Sequence, residues 1–449
     1  MARPKPASAP ASRPETGPAV RMYATMFGLF LGLCFLKFPN PPLLEHLSTP
    51  PSNGWEWALT SWPVRYAYPL VGLLVLAGLP LMRWPSRLKW QLGVFPIAWL
   101  LWVWATVPFS IDAGISRLTC VHFTVGVICF YLGLLVAGRM SRPTYLAAGL
   151  VIPFSLVLVA GWEQHFGGLA ASREYFMTYV APSQDRLEPE LLKRMESGRI
   201  FATLFYPNSL AGLLLLVAPV VLGLLATARE KFTVGARVAL VSALGLGATA
   251  CLFWSGSKTG WLLALAMGVL VLLRSSLPRR LKLGVVVSLV VLGYAGFALK
   301  YHGFFQRGAT SVVARFDYWR AALDNVKARP ITGSGPGTFV KVYEAVRPPD
   351  AEMARLAHND YLQQFSDSGL VGGVLFLLLV GGVLWVGKEA GGKGDWLVFG
   401  GALGTAFFAV QSSVEFGFYV PATSWCWFGL SGWLVAQAGL KFDNAKPSS

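Results

Sequence analysis

One histidine and three cations of this sequence have the residue types and settings that chemistry uses. His358 is followed by Asn359. An imidazole with its ordinary pKa near ~6.5 can accept a proton at neutral pH and act as a general base. His358 could equally do no more than help start a helix, since asparagine is a good N-cap. Arg199, Lys258 and Arg315 stand in three separated segments. Several cations brought together bind an anion through charge-assisted hydrogen bonds. Each also has a plainer reading. Arg199, at the lip of an apolar run, could be an anchor whose charged head snorkels to a membrane interface. Lys258, between two apolar runs, could be an ordinary interfacial lysine, and Arg315 could simply pair with Asp317 or Asp360. Arg320 reads first as part of a solvated helix face. Asn208 lies just inside an apolar run, where an amide is costly unless partnered, which favours an inward-facing role. Asn359 and Tyr361 flank this histidine segment as candidates for support, and Glu415 reads as an interfacial residue. No metal or cofactor is expected. The five cysteines are scattered, with neither metal-ligand spacing nor a disulfide framework. No Walker motif occurs, and the glycine-rich stretch 333–337 follows no strand pattern.

The elements that must position these groups are apolar helices. The chain has 449 residues, 54% hydrophobic and only 13% charged, against roughly 25% charge in a soluble domain. Its apolar residues cluster into stretches long enough to cross a bilayer. About twelve spans are expected, at 22–38, 64–82, 90–107, 119–137, 144–161, 203–226, 238–254, 259–273, 281–300, 369–387, 396–412 and 422–440. The fold class is therefore all-α and polytopic. Residues 1–20 form a Pro/Ala/Ser-rich tail of the kind that stays disordered. Residues 21–300 hold spans one to nine, 301–368 a large loop with the candidate chemistry, 369–440 spans ten to twelve and 441–449 a second tail. The first span is not expected to be a cleavable signal, because Pro39-Asn40-Pro41-Pro42 follows it and not a small-residue site.

Orientation follows from the basic residues of the short connections. The even-numbered ones carry Arg83, Arg87 and Lys89; Arg139 and Arg142; Arg229, Lys231 and Arg237; Arg274, Arg279, Arg280 and Lys282; Lys388 and Lys393. The tails add Arg3, Lys5, Arg13, Arg21, Lys441 and Lys446, while the short odd-numbered connections hold only Lys37, Arg65, Arg117 and Lys258. Both tails are thus expected in the cytoplasm. Topology and anionic lipid explain much of the formal charge of +16, so nucleic acid is not implied.

Two long connections, 162–202 and 301–368, fall on the outer side, and loops of that length are usually functional. In the second, Phe316, Trp319, Leu323 and Val326 recur at helical spacing. They predict an amphipathic helix that lies on the membrane or caps the bundle, ended by Pro330. The tight turn 333–339 follows, and then a second helix around 351–365 that leads through Gly369 into the tenth span. The seventeen tryptophans read mostly as headgroup-level belts and packing, for example Trp102 with Trp104 and Trp425 with Trp427.

Three motifs in this order resemble the O-antigen ligase/polymerase superfamily. The first is Arg199-x-x-Ala202-Thr203-x-x-x-Pro207-Asn208-Ser209-Leu210-Ala211. The second is Ser255-x-Ser257-Lys258-Thr259-Gly260. The third is Arg315…Trp319…Ala322…Pro330-x-x-Gly333-x-Gly335-x-Gly337-x-Phe339, followed by His358-Asn359-x-Tyr361-Leu362 and Gly369-Leu370-x-Gly372. The family's usual Ser-Arg turn reads Ser257-Lys258 here. Lysine keeps the charge but lacks the bidentate fork.

The resemblance implies a metal-independent, inverting glycosyltransferase with its site at the periplasmic face. The donor is a glycan on polyprenyl (undecaprenyl) diphosphate, and the acceptor is the lipid A–core of lipopolysaccharide or another glycan. His358 takes the role of base. Arg199, Arg315 and Lys258 hold the diphosphate, with Asn208, Asn359, Tyr361 and Arg320 as possible support. An O-antigen or exopolysaccharide polymerase and a protein O-glycan ligase share this donor chemistry and stay open as alternatives. A transporter is the alternative from another class. Carriers of this size often show two similar halves around a long cytoplasmic centre, whereas here the halves differ and the bulk lies outside, between spans nine and ten.

Overall fold

The structure, a computed structural model, describes residues 17–85, 90–137, 144–175, 177–178, 197–306, 310–349, 351–391 and 395–444. Most of the N-terminal tail, much of the connection 162–202, and Arg3, Lys5, Arg13, Arg87, Lys89, Arg139, Arg142, Lys393 and Lys446 lie outside the described residues.

A helix stands at each expected span. They are α1 (Pro18–Lys37), α2 (Ala67–Gly78), α3 (Trp90–Ala105), α4 (Ala113–Leu135), α5 (Thr144–Glu163), α6 (Pro207–Thr227), α7 (Val234–Ser255), α8 (Lys258–Arg274) and α9 (Arg279–Gln306). After α10 (Thr310–Ala328) and α11 (Phe339–Val346) in the large loop come α12 (Asp360–Ala390), α13 (Trp396–Gln411) and α14 (Pro421–Asn444). No strand occurs among the described residues, and nine described helical segments are long and apolar enough to cross a membrane. The sequence places the boundaries. Asp112, Thr233, Ser257, Asn359 and Asp395 each cap a helix by accepting from a first-turn amide. The sixth helix begins at Pro207, later than the expected 203, because proline suits the first turn and forbids a preceding one.

The helices pack in pairs: α14 on α4, α13 on α6, α1 on α5, and α12 on α3. Small residues let the backbones meet. A Cβ on Gly404 would fall 2.1 Å from the Leu216 carbonyl, and one on Gly432 1.9 Å from that of Phe130. Trp425 and Trp427 are fully buried in the bundle, with indole N–H groups donating to the His122 and Thr405 carbonyls at 3.0 Å. They are packing residues and not part of a belt, since α14 lies inside the bundle with nearly every side of it covered.

Hydrogen bonds between connections define two ends of the bundle. At one end Arg83 N donates to Leu135 O, Lys282 Nζ to Leu273 O and Arg274 Nη1 to Gly391 O. These ties join the basic, even-numbered connections. At the other end Lys37 Nζ donates to Ala58 O, Thr203 Oγ1 to Phe35 O and Ile111 N to Ser334 O. The large loop sits at this second end.

The loop departs from its expected form in two ways. The protein-facing side of α10 is Tyr318, Ala321, Ala322 and Asn325, packed with Phe339, Tyr343 and Ala357. Phe316 and Leu323, expected on the apolar face, are 55% and 48% exposed. Ala321 and Ala322 allow the close docking, Tyr318 and Trp319 pack beside them, and Phe316 and Leu323 are left facing outward. The helix expected over 351–365 starts only at Asp360, and a short unanticipated helix, α11, precedes it. Two prolines, Pro348 and Pro349, end α11, and a left-handed backbone at His358 (φ 50°) blocks helix until Asn359 caps α12. The turn 333–337 then bolts the loop to the bundle. Its glycines have φ of 66°, 107° and 75°. Gly335 N donates to Asp367 O at 2.9 Å, and Gly337 N to the Asp367 carboxylate at 2.7 Å.

Candidate functional site

A cavity of about 400 Å³ opens at the loop end of the bundle, and Arg199, Asn208, Lys258, Arg315, His358 and Glu415 line it. Five separate stretches of chain deliver these six side chains, so their meeting depends on the tertiary fold.

Arg199 is positioned from below by Gln164 at the kinked end of α5. The Gln164 amide oxygen accepts from the Phe201 and Ala202 amides at 3.0 and 2.8 Å, and its nitrogen donates to Ala202 O at 2.8 Å. This clamp fixes the irregular approach to α6, where Ala202 takes a left-handed backbone (φ 50°). Arg199 then crosses Gly256, where an added Cβ would lie 3.0 Å from its Nε. Gly256 has φ of 63°, as the left-handed C-cap of α7 demands. The guanidinium donates from Nε to Ser255 O at 2.7 Å and from Nη2 to Asn208 Oδ1 at 2.9 Å.

Lys258 is the first residue of α8, capped by the Ser257 hydroxyl. Its ammonium lies 5.2 Å from the Tyr301 ring centre. Burial, followed by the charges of Arg199 and Arg315, brings its pKa down to about 8. The N-termini of both α6 and α8 contribute lining residues, and their unpaired amides add to the positive potential there. Burial likewise lowers the Arg199 pKa, with Arg315 pushing the same way and Glu415 opposing.

Arg315, on α10, pairs with neither Asp317 nor Asp360. Its Nη2 donates to Glu415 Oε1 at 2.5 Å. Asn208 Nδ2 donates to the same oxygen at 2.7 Å. Arg199 and Arg315 are therefore joined through just two side chains, Asn208 and Glu415. The amide of Asn208 has found the partners that its place in an apolar run requires.

His358 is held between Tyr318, whose ring is stacked at 5.8 Å, and Phe416, edge-on at 4.7 Å. Its side chain is 29% exposed, and Nδ1 lies 3.4 Å from Glu415 Oε2, a charge-pair distance longer than a well-formed hydrogen bond. Asn359 acts here by capping α12, its side chain accepting from Leu362 N at 3.0 Å, and so fixes where the helix behind His358 begins.

Two expected contributors stand elsewhere. Tyr361 points into the bundle, its hydroxyl donating to Ala409 O at 2.6 Å. Arg320 is exposed on α10 and does not line the cavity. Glu415, read from sequence as interfacial, is instead 6% exposed at the centre of the cluster. Burial alone would raise its carboxyl, but His358, Arg315 and Arg199 hold it below its ordinary value. The signal for it was available. Glu415 is the lone charged residue between Asp395 and Lys441, and an isolated carboxylate in an apolar stretch implies a partner.

Residues 243–377 match the family model described as O-Antigen ligase. The chain is similar to O-antigen ligases across that stretch, as its motifs indicate. The stretch includes Lys258, Arg315 and His358, whereas Arg199, Asn208 and Glu415 join the cavity from outside it. No curated protein matches the O-antigen ligase-like chain.

Proposed function

We propose that this chain transfers a glycan from polyprenyl diphosphate to an acceptor sugar hydroxyl, with the cavity at the periplasmic face of the bacterial inner membrane and both termini in the cytoplasm. One observation carries the reading: Arg199, Lys258 and Arg315, three of the four cations lining one cavity, meet an imidazole there from separated segments, in a chain that matches the O-antigen ligase family over residues 243–377. Arg199, Lys258 and Arg315 bind the diphosphate. His358 removes the proton from the acceptor hydroxyl as its oxygen attacks the anomeric carbon. The bond from that carbon to the diphosphate oxygen breaks, and the electron pair leaves with the diphosphate. The cations stabilise the charge that develops there. Attack opposite the leaving group inverts the anomeric centre. The leaving group is already activated, so the step requires neither nucleotide nor metal.

The acceptor we favour is the lipid A–core of lipopolysaccharide. The test is transfer by the purified full chain from a defined polyprenyl-diphosphate glycan, with chelator present. Lipid A–core is offered in one arm and a second lipid-linked glycan in another. A product in the first arm with inverted linkage is expected. A product only in the second would make the chain a polymerase, and strict dependence on a divalent metal would overturn the mechanism.

A further inference from the structure

We propose that Glu415 is a positioning residue with two opposed effects on the reaction: it orients His358 for proton transfer, and it competes with the donor diphosphate for the cavity's cations. The inference rests on the glycan-transfer reading above.

Its first support is connectivity. Oε1 accepts from Arg315 and Asn208, and Oε2 lies 3.4 Å from Nδ1 of His358, the nearest carboxylate oxygen to that nitrogen among the described ion pairs. A small shortening of this contact would let Nδ1–H donate to the carboxylate and leave Nε2 as the nitrogen that accepts a proton. A carboxylate in this relation to an imidazole sets its tautomer and stabilises the imidazolium that forms.

The second support is rigidity. Glu415 sits on the corner 412–419 between α13 and α14, and that corner is tied to the first turns of α12. Asp360 N donates to Ser412 O at 2.8 Å, Phe418 N to the Asp360 carboxylate at 2.9 Å, and the Tyr419 hydroxyl to the Asp367 carboxylate at 2.7 Å. His358 leads directly into the same turn of α12. The two side chains are therefore held by one framework, as a positioning pair requires.

The third is charge. One buried carboxylate stands among Arg199, Lys258 and Arg315. Before a donor arrives it neutralises part of their field and fixes Arg315. A diphosphate carries more negative charge and more acceptor oxygens, so it can draw Arg315 away while Oε2 stays with His358. Removing the carboxylate's charge should thus strengthen donor binding and weaken catalysis. A mere structural strut would not move the two in opposite directions.

The experiment uses the full chain in lipid nanodiscs, with undecaprenyl diphosphate as the binding probe and the transfer assay for kinetics. Glu415→Gln keeps the shape and can still accept from Arg315 and Asn208. It is expected to bind undecaprenyl diphosphate at least as tightly as wild type, with an unchanged or lower donor KM. Its kcat should fall by about 10²-fold, the scale of a general-base contribution. Combined with His358→Ala it should cost little beyond His358→Ala alone, because the two act as a unit. Should Glu415→Gln not fold, Glu415→Asp carries the test, with intermediate kcat expected. A kcat near wild type overturns the inference, as does a tenfold loss of probe affinity. These failures differ from that of the glycan-transfer reading, in which wild type itself forms no product.

Discussion

A lysine at the first position of a helix works against the helix dipole, and Lys258 stands there beside two arginines. The arrangement is unfavourable when the cavity is empty and becomes favourable when an anion enters. Its pKa of about 8, lowered by burial and then by Arg199 and Arg315, gives a signed expectation. As pH rises through about 8, Lys258 loses its charge, and the free protein loses one of the cations proposed to bind the donor. The kcat/KM for donor, which reports the free enzyme, should fall across that range, mainly through KM. Lys258→Arg keeps its charge and should flatten this limb; an unchanged limb in that variant would assign the titration to another group. His358 carries a larger burden. His358→Ala and His358→Gln should insert normally yet lose transfer by about 10²–10⁴-fold, and near-normal turnover by both would remove it as the base. That these two residues line one cavity was anticipated from motif order, although each also had a plainer reading and Lys258 stands where the resembled family has arginine. The isolation of Glu415 in an apolar stretch signals a partner, but which partner was hidden because every one lies far along the chain.

Helix starts were legible where a cap or proline marks them, as at Ser257, Asn359 and Pro207. The large loop was less so. Its apolar periodicity predicts a helix that lies on the membrane or caps the bundle; the side that packs on the protein is built of alanine, tyrosine and asparagine, and Phe316 and Leu323 face outward. Periodicity reports an apolar stripe and not which neighbour will cover it. The glycine turn, in contrast, has an unambiguous physical reason. Gly335 takes a φ of 107°, and a Cβ there would lie 2.0 Å from Ser110 Oγ. Gly335→Ala should therefore loosen the seat of the loop, at a cost of roughly 1–3 kcal/mol from backbone strain alone. Thermal unfolding in detergent should shift down, and proteolysis should rise in the segment 347–358 that leads to His358. Gly284→Ala in α9 is the contrast. Nothing lies within 4 Å of its Cβ, so alanine should be neutral or stabilise by about 0.5–1 kcal/mol. Equal losses in both variants would mean that the turn has no special role.

At the scale of the whole molecule, charge along the chain and contacts in the fold mark the same end of the bundle. Basic connections alternate with nearly neutral ones along the chain. In the fold, the basic connections are tied to one another at one end, by Arg274 to Gly391 and Arg83 to Leu135. The cavity and large loop occupy the other end, so charge and chemistry are separated by the length of the helices. The connection between the two is α9, whose 28 residues span about 42 Å at 1.5 Å per residue. That exceeds a hydrocarbon core of about 30 Å, so Arg280 and Ile331 should lie on opposite sides of the membrane. The chain's own chemistry makes this measurable. All five cysteines are buried, so a membrane-impermeant maleimide should label the parent protein weakly. Arg280 and Ile331 are both exposed. In intact spheroplasts, Ile331→Cys should label at once, and Arg280→Cys only after permeabilisation, because the basic end is expected to face the cytoplasm. Labelling of both from outside would break the span assignment. The reverse pattern would keep the fold but place the cavity on the cytoplasmic face, where a periplasmic glycan transfer could not occur.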